Sequence, residues 1–535
     1  TLKEGLTVFR DQSFSADLNS KEVARIEDVK ALRERQFVED ASPTSHPIQP
    51  ESYISMNNFY TATVYEKGAE VIRMIHTLLG EENYRKATDL YFEKFDGQAV
   101  TTKDFLWAMS EASGIDLTQF ERWYHQNGTP RLLVSEIYDN NKYTLRLTQV
   151  VPNTVEGERQ RVYFYSLKIA LLDANGEDII EETLIVSKEF EEFSWDLESK
   201  PVLSINRDFS APIIVKQESN DYPFLSRHDS NSFVRYESMH SYGIETLERM
   251  MKSGDINNEF VETYGYILDA DLNLSFKALL LELPSISTLM QRQEVVDFEP
   301  IYEAKEKLQK HLASVYKDKL LSIYYNNHTA EDDSIEADSM DRRSIKNRVL
   351  KLLSMLGSQD VIDLAKNQYD NSSTMTDKIA ALDILENTTQ KEGSVALNHF
   401  YNKYKNDTLV MNKYFAILAA SERDGTLDRV MALQNDEVYD EKIPNLVRSL
   451  IGVFARNYKH FHAKNGLGYK FVADKIIEID KINAQMASAL AGAFKIYEKM
   501  NEINKKLIQA ELERVVSTHS LSKNCYEIVS KILKK

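Results

Sequence analysis

The chain has 535 residues, enough for several hydrophobic cores, and its 42% hydrophobic content can fill them. Its 83 acids against 65 bases leave a formal charge of −18, which argues against nucleic acid or an anionic membrane surface as the main partner. A single cysteine, Cys525, excludes internal disulfides and cysteine-cluster metal sites and suits a reducing compartment, so the expected location is cytoplasmic.

The first 128 residues read as helical. In the opening TLKEGLTVFRDQ, Leu2, Leu6, Val8 and Phe9 are core-like, yet an acid, Glu4, sits among them. A helix that starts so near the chain end with apolar residues predicts a missing neighbour and exposed apolar surface. After a turn-rich loop, ASPTSHPIQP at 41–50, Val64, Gly68, Val71, Ile72, Ile75, Leu78 and Leu79 recur at helical spacing, and Gly80 is expected to stop the run. FLWAMSEASG and LTQFERWYHQ add shorter amphipathic segments.

GTP at 128–130 marks a change of period. Tyr143, Leu145 and Leu147 alternate with polar residues, as do Tyr165, Leu167, Ile169 and Leu171 before the Asn175-Gly176 turn signal. This pattern predicts a small antiparallel β-sandwich over 129–217, with APIIV at 211–215 as its last strand.

From 218 to 535 the helical period returns. Ile301, Ala304, Leu308, Leu312 and Val315 form one stripe; Ile345, Val349, Leu352, Leu353 and Leu356 form another, closed by Gly357. Polar links such as NQYDNSSTMTD separate the segments, the pattern of an α-solenoid of helical hairpins without a strict repeat. No run approaches the roughly 20 apolar residues of a membrane helix, MASALAGAF at 486–494 being typical of the longest, so no membrane partner is expected. The expected fold class is therefore multidomain and mainly α: a helical part at 1–128, a β-sandwich at 129–217 and a superhelical array at 218–535.

Local motifs for chemistry are few. A zinc site on one helix needs two histidines four apart with a glutamate beside the first, and none of the 11 histidines meets that pattern. His460 and His462, two apart, point in different directions on a helix and read as packing or surface residues. There is no glycine-rich phosphate loop and no GxSxG elbow. The stretch ISMNNFYTATVYEKGAEVIRMIHTLLGEE at 54–82 is different: an aromatic, polar turn from Asn57 to Tyr60 leads into a helix that presents Tyr65 and Glu66 in its first turns. A preorganised tyrosine hydroxyl there could donate to a developing oxyanion, whereas an anonymous tyrosine among 28 is more often a packing residue.

Three segments, LKEGLTVFRDQ, VEDASPTSHPIQPES and NNFYTATVYEKGAEVIRMIHTLLG, closely resemble the aminopeptidase N family, zinc metallopeptidases of the gluzincin class. WYHQNGTPRL, MTDKIAALDIL, RSLIGVFA and GYKFVADKI are similar to its later segments, so the resemblance covers the whole chain and corresponds to the family's C-terminal three-fifths or so. The helical opening is then the end of a thermolysin-like subdomain, incomplete here.

The resemblance implies that Glu4, in KEGLT, is the family's third zinc ligand and that Tyr65, in VYEKG, is its catalytic tyrosine. It implies that Asn57, Tyr60 and Gln485 line the pocket for the first substrate side chain and that Arg448 faces the chamber near the peptide's far end. Ala489 stands where a second arginine is expected, which weakens anchoring of longer peptides. Asp11, seven residues beyond Glu4, is read as a solvated aspartate, with orientation of a ligand histidine as the other role. The implied activity is zinc-dependent hydrolysis of the first bond of peptides with a free N-terminus. The HExxH histidines and the GxMEN loop are expected upstream of Thr1, in a missing N-terminal half, so this chain alone is expected to hold no Zn²⁺ and to be inactive. The alternative is a non-catalytic α-solenoid scaffold or peptide-binding module.

Overall fold

In a computed structural model, which describes residues 2–154, 157–329, 333–387 and 391–534, the apolar opening folds as helix α1 (Leu2–Leu18). Its partners are within this chain: Phe9 is buried against the rings of His76 and Tyr84, and Leu2, Leu6 and Val8 pack on the same core. The apolar residues that α1 leaves in solvent are Phe14 and Leu18, near its far end, rather than those at its start. Helix α2 (Lys21–Leu32) follows, with Ser20 capping its first turn by accepting from the Val23 amide, and runs into a π-turn at Arg33–Phe37 and a last helical turn at Val38–Asp40.

The helix after the loop begins unusually. Met56–Phe59 is a 3₁₀ turn, Thr63–Lys67 is a π-turn, and only then does α3 (Gly68–Phe95) run as an α-helix. Gly80 does break it, at φ +73°, but the chain resumes a helix at once instead of stopping. EENYRKATDLYFEKF supplies its own apolar residues, and Tyr84 and Ala87 are buried. Helix α4 (Thr102–Ser113) carries a capping box between Thr101 and Asp104 and ends at Gly114 in the left-handed region.

Seven strands follow: β1 (Arg131–Asp139), β2 (Lys142–Val150), β3 (Tyr165–Leu172), β4 (Asp178–Val186), β5 (Phe190–Asp196), β6 (Val202–Ile205) and β7 (Ile214–Gln217). They form two sheets, ordered β5-β2-β1-β7 and β4-β3-β6. The alternating residues face inward as expected: Tyr143, Leu145, Leu147, Tyr165, Leu167, Ile169 and Leu171 are all buried. One pairing departs from the antiparallel pattern, since β7 returns beside β1 in parallel. The helical opening and the sandwich share one core, in which the Trp123 and Tyr163 rings lie 4.2 Å apart at a tilt of 31° and the indole N–H donates to the Phe164 carbonyl at 2.8 Å.

By their internal contacts the described residues divide into two compact units, Thr1–Tyr242 and Gly243–Lys535. The second is an array of helices, including Phe298–Val315, Ala337–Ser354, Gln359–Asn371 and Met375–Glu386. Ile301, Ala304, Leu308 and Leu312 are buried, as are Ile345, Val349, Leu352 and Leu353, but Val315 at the end of the first stripe is exposed. Part of the expected link NQYDNSSTMTD is helical, because Asn367 to Asn371 complete one helix and Thr374 caps the next by accepting from the Asp377 amide. Late segments pack on early ones: Val296 pairs with Met500, and Phe298 contacts the rings of Tyr458 and His462. No described helix is long and apolar enough to cross a membrane.

Candidate active site

The KEGLT and VYEKG segments lie 61 residues apart in sequence and meet backbone to backbone. A Cβ at Gly5 would stand 2.6 Å from the carbonyl carbon of Gly68, and a Cβ at Gly68 would stand 3.2 Å from the Cα of Gly5. Only paired glycines allow this approach. Gly5 follows Glu4, and Gly68 comes three residues after Tyr65, so the contact makes neighbours of the segments that carry the carboxylate and the phenol.

Glu4 is 4% exposed. Burial pushes its carboxyl up, but opposing contacts, led by the hydrogen bond that Lys3 Nζ donates to Oε1, outweigh that and lower it. The group is an anion at neutral pH. Tyr65 is half-buried on the π-turn, where the Gly68 amide donates five residues back to Thr63. Its ring stands 6.4 Å from that of Tyr60, which continues through Phe59 at 5.7 Å to Tyr53 at 6.1 Å. Tyr60 is 44% exposed, and Asn57 is exposed on the 3₁₀ turn beside it. Glu4, Asn57, Tyr60 and Tyr65 thus all belong to the first unit. Asp11 is exposed.

Arg448 and Gln485 belong to the second unit. Arg448 opens another π-turn, Arg448–Gly452, and its guanidinium donates to Asn445 Oδ1 at 2.9 Å. Gln485 is exposed in the first turn of Ala484–Ala491, and Gly452 approaches that helix at Leu490. The elements carrying both residues therefore pack together. Ala489 is exposed on the same helix. His462 is buried with Nδ1 2.8 Å from the Tyr469 hydroxyl, and burial lowers it to about 3.

Sequence reasoning missed the polar groups behind Tyr65. Glu39, Asp40, Thr63 and Lys67 are all buried next to its π-turn. The available signal was Lys67 itself, a lysine inside an otherwise apolar helical stripe, which demands a buried anion somewhere in the chain.

Comparison with known proteins follows the same divisions. Residues 1–124 match the peptidase family M1 domain, residues 128–218 a domain of unknown function with an Ig-like fold (DUF3458), and residues 219–534 a domain of unknown function with ARM repeats (DUF3458_C). The chain is similar to aminopeptidase N of Haemophilus influenzae, 35% identical across 100% of this chain and 63% of that protein. It is similar to aminopeptidase N of Escherichia coli at 36% identity, covering 100% of this chain and 64% of the relative. The crystal structure of Legionella pneumophila aminopeptidase A in complex with aspartic acid superposes with a TM-score of 0.90 at 28% identity, over 99% of this chain and 62% of that one. The chain spans less than two thirds of the length of the curated relatives it matches. With consecutive matches along its whole length, it belongs to the aminopeptidase N family of the M1 peptidases.

Proposed function

We propose that this chain carries part of the active site of a zinc-dependent aminopeptidase that releases N-terminal residues from peptides, with Glu4 as a metal carboxylate and Tyr65 as the oxyanion donor. The observation that carries the reading is the Gly5–Gly68 contact, which makes neighbours of the segments bearing the buried Glu4 carboxylate and the Tyr65 phenol. An anionic carboxylate is a donor that zinc accepts, so Glu4 fits the metal. Among the described residues no group of three or more His, Cys, Asp or Glu is placed to hold an ion, and in this reading the other ligands of the metal lie outside them. Zinc, when bound, would supply Lewis-acid activation of water and carbonyl.

The chain's own residues have distinct tasks in this reading. Glu4 arrives already deprotonated, so it does not have to release a proton to bind a cation. Tyr65 donates its hydroxyl to the oxygen that gains charge as the peptide carbonyl is attacked, a contribution of a few kcal/mol for a preorganised donor. Tyr60 offers an aromatic wall and Asn57 a polar contact for the first substrate side chain. Gln485 and Arg448, on elements that pack together in the second unit, are read as peptide-binding residues. The setting is cytoplasmic, with neither nucleic acid nor membrane as a partner.

The test joins the chain to an upstream portion bearing HExxH and follows release of an amino-acid aminoanilide with and without chelator. Chelator-sensitive activity is expected in the joined protein and none in the chain alone. By isothermal titration, Zn²⁺ should bind the joined protein and lose affinity on Glu4→Gln. Full activity in Tyr65→Phe would refute the oxyanion assignment, and unchanged Zn²⁺ affinity in Glu4→Gln the metal assignment.

A further inference from the structure

Two adjacent carboxylates grip opposite ends of the five-residue π-turn that carries Tyr65. At its start, Glu39 Oε1 accepts from the Thr63 amide at 3.0 Å and from the Thr63 hydroxyl at 2.8 Å. Gln36 Nε2 donates to that hydroxyl at 3.3 Å. At its end, Lys67 Nζ donates to Asp40 Oδ2 at 2.9 Å and to the Gly128 carbonyl at 3.0 Å. Asp40 is anchored in turn by the Gly128 amide at 3.0 Å and the Thr129 hydroxyl at 3.1 Å. Glu39, Asp40, Thr63 and Lys67 are each at most 8% exposed.

A π-turn is an α-helix with one residue too many, and it is rarely favoured by its own hydrogen bonds. Expelling that residue turns the flanking side chains by roughly 100° relative to each other, since each α-helical residue advances by that angle. For Tyr65, in the middle of the turn, this would swing the phenol to a different direction. Holding one end alone leaves the other free to slip. A buried ion pair adds little net stability over apolar packing, and its best-attested use is to set register. The pattern found, a carboxylate at each end from consecutive residues of one rigid turn, is what fixing a register requires.

We propose that Glu39 and Asp40 are positioning residues for Tyr65, clamping the π-turn so that the phenol is presented in one orientation. The proposal rests on the reading of Tyr65 as the oxyanion donor. It assigns a purpose to Glu39 and Asp40, to which that reading gives no role.

The test has two arms. In the chain as it stands, amide hydrogen exchange at Gly68, the π-turn donor, is compared with Val71 and Ile75 farther along α3. Glu39→Ala should speed Gly68 exchange at least about tenfold relative to those two, while Glu39→Gln, which keeps an acceptor for Thr63, should stay within about twofold of the parent. Asp40→Ala strands the Lys67 ammonium and is expected to unfold the segment, so the paired Asp40→Asn, Lys67→Met variant replaces it, with the same local loosening expected. Unchanged relative exchange in both Glu39→Ala and the paired variant overturns the clamp.

In the protein joined to its upstream portion, Glu39→Ala should lower kcat by about 10- to 100-fold with KM within about twofold. The same substitution in a Tyr65→Phe background should lower kcat by less than about twofold. Equal losses in both backgrounds overturn the positioning role while leaving the Tyr65 reading intact. A fully active Tyr65→Phe protein overturns that reading, and the positioning role with it.

Discussion

Gly5→Ala tests whether the backbone contact between α1 and α3 is as tight as it looks. The new methyl would stand 2.6 Å from the Gly68 carbonyl carbon, 2.8 Å from its oxygen and 3.0 Å from its Cα. Carbon pairs are comfortable at about 3.5–4.0 Å, so the helices must separate by roughly 1 Å, and no side-chain rotation can relieve contacts that are all backbone. Overpacking of this kind costs about 1–3 kcal/mol, here at the upper end, while alanine in place of glycine inside a helix returns about 1 kcal/mol. The net expectation is a loss of about 2 kcal/mol from the first unit.

For a unit the size of Thr1–Tyr242 that corresponds to a midpoint lower by about 4–8 °C, read from its own transition in differential scanning calorimetry of the whole chain. Gly452→Ala, in the second unit, is the control for an added methyl: its nearest contact would be an ordinary 3.9 Å, and that unit's own midpoint should hold or rise. In the joined protein the same 1 Å displacement separates Glu4 from Tyr65 and should lower kcat about 100-fold. If Gly5→Ala melts at or above the parent midpoint, the close approach is not a constraint, and the argument that it assembles the site fails.

Two further expectations concern buried charge. Asp28 is lifted from 3.8 to about 6 by burial, against the opposing pull of Arg73 and Arg25. Because the folded state holds this proton more tightly than the unfolded one, the associated stability is fully present below about pH 4. It is lost as the pH rises to 6, by on the order of 2 kcal/mol. Urea midpoints across that window should lose this component in Asp28→Asn, and a carboxyl carbon resonance titrating near pH 6 should disappear with it. In the second unit, Lys346 Nζ meets Asp377 Oδ2 at 2.6 Å with both side chains at most 3% exposed, and Asn347 donates to the other carboxylate oxygen. Lys346→Met should cost about 3–5 kcal/mol in chemical denaturation, and adding Asp377→Asn should recover most of it; equal losses would mean the charge is not confined there.

What was legible in the sequence follows from the range of the forces involved. Apolar period is a local signal, so the stripe Ile301 to Leu312 and the alternation Tyr143 to Leu147 appear in the fold as read, and the mainly helical architecture with a small β-sandwich is as expected. The departures occur where a local signal met a distant partner. Gly80 was an adequate stop signal and does break the helix, but buried Tyr84 gives the next segment a reason to continue it. Phe9 looked orphaned because its partners, His76 and Tyr84, lie some 70 residues on. Strand β7 pairs in parallel because residues 206–213 carry the chain back across the sandwich, which alternation cannot record.

The site shows the same division more sharply. Spacing alone offered nothing for Glu4, one acid near an end, or for Tyr65, one tyrosine among 28. Long ordered motifs singled them out, and the glycine after one and the glycine after the other turn out to be the physical link between them. Neither glycine has a positive φ, so neither announces itself as a turn; each is small because the other is opposite. The same logic applies to Lys67 and Asp40, separated by 27 residues, and to Thr63 and Glu39, separated by 24. A charge in an apolar stripe states that a counter-charge exists but not where, since desolvation fixes the need for a partner and only the fold supplies its position. Residues whose role depends on a contact across the fold are therefore the ones a single sequence conceals. In this chain both the proposed metal carboxylate and the proposed oxyanion tyrosine depend on such a contact, one through Gly5 and the other through a turn held from behind.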